Sequence, residues 1–266
     1  MIIQTPELII YKRIDAEKRI DNYLLLLVVF KNGLVFGIKF NERQNEERQN
    51  KLCQWLMEIN STVITACIGD FHDFETCTQI LTDFCRKTDN TLGKHYITGK
   101  GIEKFLANML REGFSENVSV LAVNFLVADC QNQKEPALWF IDFDGDTKPL
   151  KNFAVAGGTE YEEPLTEEEF KKLTEEQKDE FEQRKLKIIK NGAPKDASFT
   201  PSRLRYPKKE AIAYLEKNWK PNMKKEGAIE LVKSTLFKFN PESKDRTIEI
   251  VIVEKKGSEA QYFTKK

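Results

Sequence analysis

Apolar and polar positions between Thr62 and Gly113 fall into three successive periodicities, and these frame the rest of the chain. Thr62-Val63-Ile64-Thr65-Ala66-Cys67-Ile68 is a short β-branched run without helical spacing, stopped by Gly69, which predicts a buried strand. Asp70 has the short acceptor side chain that caps a helix. From Phe71 the apolar residues recur at Phe74, Cys77, Ile80, Leu81, Phe84 and Cys85, the three-and-four spacing of one buried helix face. A polar loop with Gly93 and Gly99 follows. Ile102, Phe105, Leu106, Met109 and Leu110 mark a second amphipathic helix, expected to end near Gly113 because glycine favours a helix C-terminus. Two helices directly after a buried strand predict a helical layer lying on a sheet.

Before this stretch, Leu8-Ile9-Ile10-Tyr11 and the scattered Ile14, Ala16 and Ile20 are too few to form a core, so residues 1–22 read as an arm. Residues 23–266 then read as a single domain. Tyr23 to Phe30 is almost wholly apolar, Lys31-Asn32-Gly33 is a hairpin turn, and Leu34 to Ile38 returns as the partner strand, both strands buried on both faces. Asn41 to Lys51 is polar and charged and predicts an exposed loop, after which Leu52 to Ile59 re-enters the fold. Val118–Val127, Ala137–Ile141 and Leu150–Ala156 predict a three-stranded meander. From about 159 to 207 the sequence is charge-rich and reads as a helical insertion, starting at Thr166-Glu167-Glu168-Glu169 and ending at Asn191-Gly192-Ala193-Pro194. Helices are expected over Lys208–Asn218 and Met223–Phe237, the latter with Ala228, Leu231, Val232 and Leu236 on one face, and Thr247–Val253 is expected to be the final strand. Strands enough for two sheets with helices in two pairs predict an α+β, four-layer helix-sheet-sheet-helix sandwich of two antiparallel sheets.

Charge and cysteine content narrow the functional classes. Lys plus Arg and Asp plus Glu each number 42, so no net field draws the chain to nucleic acid or an anionic membrane. No apolar run is long enough to span a bilayer. With polar residues directly after Met1-Ile2-Ile3 no secretory leader is expected, and five cysteines without paired spacing read as reduced thiols of a cytoplasmic or nuclear protein. His72 and His95 lack partners at zinc-ligand spacing. Asp142-Phe143-Asp144-Gly145-Asp146-Thr147 is similar to a phosphatase nucleophile motif, but its threonine is one position late; as an EF-hand it would need a glutamate where Phe153 stands. A hairpin turn accounts for the same residues. Gly157-Gly158-Thr159 lacks the lysine of a phosphate loop. No cofactor or metal is therefore expected.

Four segments carry a resemblance through their order and spacing. Ala66-Cys67-Ile68-Gly69-Asp70 leads into a helix, Gly101-Ile102 opens another, and Leu138-Trp139-Phe140-Ile141-Asp142-Phe143-Asp144-Gly145 precedes Phe153-Ala154-Val155-Ala156-Gly157-Gly158. Together they resemble the 20S proteasome subunit family, over most of the chain outside the insertion. Thr5-Pro6-Glu7 followed by Lys12-Arg13-Ile14-Asp15-Ala16 resembles the arm of the α-type branch, and Tyr214-Leu215-Glu216-Lys217-Asn218-Trp219 resembles its Leu-Glu-Lys-Asn-Tyr segment. Departures are the missing Tyr-Asp-Arg ahead of the arm and Phe114-Ser115-Glu116-Asn117 in place of Arg-Pro-Phe-Gly, which suit a divergent member.

The resemblance implies a ring-forming subunit, and the residues test whether it would be a peptidase. An N-terminal nucleophile hydrolase needs a Thr, Ser or Cys whose own amino group serves as base. None lies between Thr5 and Cys53, and Thr5 itself precedes a proline well ahead of the hairpin. Aligned on Gly33, the family's nucleophile falls at Tyr23, its helper aspartate at Lys39 and its catalytic lysine at Trp55. The expectation is a non-catalytic α-type-like subunit of a compartmentalised protease. Its arm residues Ile14, Ala16 and Ile20 would contact a neighbour, with other subunits and a regulatory particle as partners. In α-type rings a pocket lysine pairs with the activator's C-terminal carboxylate, and its place also falls at Trp55. The alternatives are a threonine peptidase of the same fold and a stand-alone scaffold or assembly factor.

Overall fold

The structure, a computed structural model, describes residues 12, 16, 24–39, 55–93, 96–116, 120–130, 136–158, 161–190, 202–239, 248–256 and 259–265. The chain divides into two compact units, Met1–Thr159 with Pro207–Lys266, and Glu160–Tyr206. Among the described residues no helix is long and apolar enough to cross a membrane.

The larger unit is built on the hairpin. β1 (Leu24–Phe30) and β2 (Gly33–Lys39) pair antiparallel with Phe30 opposite Gly33, so Lys31 and Asn32 alone form the turn. β11 (Ile248–Lys256) joins the far side of β2, β12 (Glu259–Lys265) pairs with β11, and β8 (Phe153–Gly157) pairs with β1, giving the order β12-β11-β2-β1-β8. The second sheet runs β3-β4-β5-β6-β7, from β3 (Leu56–Glu58) and β4 (Val63–Gly69) to β5 (Val123–Asp129), β6 (Ala137–Ile141) and β7 (Thr147–Leu150). Every pairing is antiparallel.

Strand parity sorts the apolar residues into layers. Leu25 and Leu27 of β1, Leu34 and Phe36 of β2, and Val251 and Val253 of β11 meet Ile64, Ala66, Leu126, Leu138 and Phe140 of the other sheet. The opposite face of the first sheet, with Leu24, Leu26, Val35 and Ile252, packs on Ala211 and Leu215 of α5 (Pro207–Asn218) and on Ala228, Leu231, Val232 and Leu236 of α6 (Lys225–Phe239). Val63, Cys67, Phe125, Val127 and Ile141 pack on Cys77 and Leu81 of α1 (Phe71–Leu92) and on Ile102, Leu106 and Leu110 of α2 (Gly99–Glu116). The four layers are those the sequence predicts. In β2 the place that would carry a side chain toward α6 is Gly37, where an added Cβ would lie 2.2 Å from Val232 Cγ1.

Helix ends are fixed by charges and hydroxyls. Asp70 accepts from the N–H groups of His72 and Asp73 at 3.0 and 3.3 Å, capping α1, and Gly93, at φ 94°, ends it. Thr98 Oγ1 accepts from Gly101 N–H at 3.1 Å, and the Asp129 carboxylate takes the Gly99 N–H at 2.7 Å, placing negative charge at the start of α2. A Cβ on Gly99 would meet Asp129 Cβ at 2.4 Å, so only glycine allows this approach. At the other end of α2 the buried Lys12 ammonium donates to the Phe114 carbonyl at 2.6 Å and lies over the Phe114 ring.

Several boundaries differ from expectation. Gly113 is buried inside α2 rather than ending it, because the last-turn carbonyl at Phe114 finds Lys12 as donor. Leu150–Ala156 is two strands: Leu150 closes β7, while β8 crosses to the first sheet and pairs with β1, so the three-stranded meander is β5 to β7. β5 begins at Val123, and β11 is followed by β12. Leu8–Tyr11, Ile14, Ile20, Tyr23 and Asn41–Lys51 lie outside the described residues.

The smaller unit holds an antiparallel pair, β9 (Tyr161–Pro164) with β10 (Ser202–Arg205), and two helices, α3 (Glu167–Lys171) and α4 (Glu175–Lys190). The expected start at Thr166 is a capping box with Glu169. That helix stops after Lys171, and Thr174 with Gln177 forms a second reciprocal cap that starts α4. Phe170 and Phe181 meet edge to face at 5.7 Å.

Candidate functional site

Of the three positions marked by the hairpin alignment, Lys39 and Trp55 lie at one end of the two-sheet core, and Tyr23 lies outside the described residues. β2 ends at Lys39, whose backbone sits opposite Ile248 at the start of β11, with Glu249 opposite Ile38. Trp55 immediately precedes β3, at the edge of the other sheet, and its carbonyl accepts from Cys67 N–H at 2.7 Å. Its indole is 6% exposed and belongs to the core between the sheets. A buried indole N–H needs an acceptor. Glu249 supplies it, with Trp55 Nε1 donating to Glu249 Oε2 at 2.8 Å.

This contact joins the edge of the second sheet to β11 of the first. The first strand starts beside it, Leu24 lying opposite Gly157 and Leu25 opposite Ile38. Lys39 and Trp55 are thus brought to the same end of the sandwich through β11. Glu249 carries no local motif, but strand parity points to it: Val251 and Val253 face the core, so the residue two before Val251 faces it too. A carboxylate at the inward position of an apolar strand implies a donor across the gap.

The other singled-out residues have structural places. Of the arm, Ala16 is fully buried against Phe114, Val120, Ala122 and Phe143 of the same chain. Asp142 to Asp146 form the turn from β6 to β7: Asp142 N–H donates to the Asp146 carbonyl at 2.9 Å, and Asp146 N–H to Asp144 Oδ1 at 3.0 Å. Arg111 holds the turn through the Gly145 carbonyl at 2.8 Å. His72 is exposed on α1, and His95 lies outside the described residues. Gly157 and Gly158, at φ 71° and 68°, turn the chain out of β8. Among the described residues no group of three histidine, cysteine or acidic side chains is placed to hold a metal.

Thiol chemistry is set by burial. Cys67 of β4 and Cys77 of α1 are packed between sheet and helices, and burial, with Asp73 adding to it, pushes the Cys77 thiol up to about 12. Burial also raises Cys67, and raises the half-buried Cys85 to about 11. A reactive thiol needs the opposite shift. In native protein at pH 8, iodoacetamide is therefore expected to leave Cys67 and Cys77 unmodified, and to modify both once urea is added; peptide mapping reads the result. Rapid native labelling of Cys77 would contradict this packing. The same shifts give stability that is complete below the unfolded thiol value of 9.0 and lost as pH rises from there toward about 12.

Two comparisons bear on the chain as a whole. A family model described as Proteasome subunit matches residues 26–198, more than half of the sequence. The search of curated proteins finds no match.

Proposed function

Because the chain belongs to the proteasome subunit family, whose members assemble into rings with other subunits, we propose that it is a non-catalytic, α-type-like structural subunit of such a ring. The observation that carries this reading is Trp55. At the place where the family's catalytic lysine falls stands a buried indole, fixed by Glu249 across the sheets. Indole offers one N–H donor and no positive charge, so it neither lowers the pKa of a nucleophile nor pairs with an activator's carboxylate. Lys39 stands where the helper aspartate would, and Tyr23 where the nucleophile would. In this role the chain contributes contact surfaces. Ile14 and Ile20 of the arm supply part of the contact with a neighbouring subunit, while Ala16 is already engaged within its own chain.

The test pairs an activity assay with a mass. The purified chain is expected to hydrolyse no fluorogenic peptide and to resist threonine-directed covalent inhibitors, and native mass spectrometry of material from its source is expected to find it in a multi-subunit particle. Specific labelling within the first fifty residues would assign it to the peptidases. A monomer at native concentration would favour a scaffold that keeps the fold without the ring.

A further inference from the structure

β7 and β8 are the last strands of their respective sheets on the same side of the sandwich, and a cavity of about 510 Å³ opens beside them, closed on one flank by α5. Its wall is apolar where Phe140, Leu150, Val155 and Ile212 line it. Three ammonium groups, from Lys148, Lys151 and Lys208, stand around it against the Glu216 carboxylate of the lining, with the Asp142 carboxylate also acting on Lys208. Among the described residues none of these lysines makes an ion pair or a hydrogen bond. Lys208 is half-buried, and its Nζ lies 4.2 Å from the centroid of the Phe140 ring, so its charge is held at the boundary between the apolar wall and the opening.

We propose that this cavity binds a small amphipathic monoanion, a carboxylate with an apolar body of medium-chain length, with Lys208 pairing the carboxylate and the Phe140–Ile212 wall covering the chain. Three features carry it. The volume lies within the range of small-molecule sites, and the lining combines a mostly apolar surface with a few charged groups, as such sites do. The charge balance favours an anion. One partly buried ammonium matches one carboxylate, whereas a dianion would require more buried positive charge than Lys208 provides. Burial holds the Lys208 ammonium below the ordinary lysine range, opposed by Asp142 and reinforced by Lys148, so a bound anion relieves a standing electrostatic cost.

Titration of sodium decanoate into the full chain, below its micelle concentration and followed by calorimetry, is expected to give one saturable site. Lys208→Met is expected to weaken binding by about ten- to a hundredfold, the effect of removing a charge-assisted hydrogen bond, and Lys208→Arg to retain most of it. Lys148→Gln combined with Lys151→Gln, two exposed positions whose change leaves the core untouched, is expected to weaken it about two- to fivefold. Decyltrimethylammonium, with the same tail and the opposite charge, is expected not to bind. The proposal is overturned by absence of saturable decanoate binding, by equal binding of the cationic analogue, or by unchanged affinity in Lys208→Met. Should Lys208→Met fail to fold, unchanged affinity in the surface double variant overturns it.

Discussion

Replacing Trp55 with alanine is expected to cost about 3–5 kcal/mol of stability, the range for deleting a large aromatic from a core. The indole closes the end of the layer between the sheets, and its N–H satisfies Glu249, so the variant opens a cavity and leaves a half-buried carboxylate without that donor. Trp55→Phe separates the two effects. It keeps most of the packing and loses the hydrogen bond, for an expected cost of about 1–3 kcal/mol. Adding Glu249→Leu to Trp55→Phe should recover most of that loss, since removing both polar partners is close to neutral. Urea unfolding of the three variants and the parent chain at pH 7 reads these differences. Should Trp55→Ala lose less than about 1 kcal/mol, the indole does not seal the core. Trp55→Lys alone is expected to create no peptidase activity, because Lys39 and Tyr23 remain at the other two places.

Gly37→Ala is expected to destabilise by about 1–3 kcal/mol, although alanine is ordinarily the better residue in a strand interior. The added methyl would lie 2.2 Å from Val232 Cγ1 and 3.2 Å from Leu236 Cδ1, so α6 must lift from β2 or Val232 must leave its rotamer. Val232 is β-branched and fully buried, which makes both responses costly. The discriminating measurement is the pair. Val232→Ala alone opens a cavity and also destabilises, but in the double variant each change makes room for or fills the other, and the loss should be smaller than the sum by about 1 kcal/mol or more. Additive losses would mean that helix and strand adjust independently.

What the sequence made legible depended on whether the information was local. The β1–β2 hairpin is readable because Lys31-Asn32-Gly33 marks a turn between two continuously apolar runs, the structure placing Lys31 and Asn32 in the turn and Gly33 at the start of β2. Both helical pairs were readable from one buried face each. The end of α2 was not, because the donor for its last turn, Lys12, lies far away in sequence. β8 reads as part of the meander because the apolar run from Leu150 onward does not record which sheet each residue joins. β12 carries weak alternation, as suits a strand at the edge of its sheet. At the candidate site, Trp55 was located only through the resemblance and the spacing from Gly33. Its partner Glu249 sits 194 residues on, and only the pairing of β11 with β2 brings the two together.

Helix α2 is gripped at both ends by charge from elsewhere in the chain: Asp129 from a strand of the second sheet at its first N–H, and Lys12 from the arm at its last turn. In mechanical terms it is a beam tied at both ends, not a rod resting on a surface. The hydrogen-bonded helix thus connects the Phe114 carbonyl held by Lys12 to the Gly99 N–H held by Asp129 at the end of β5. Any neighbour that grasps the arm therefore holds the second sheet as well.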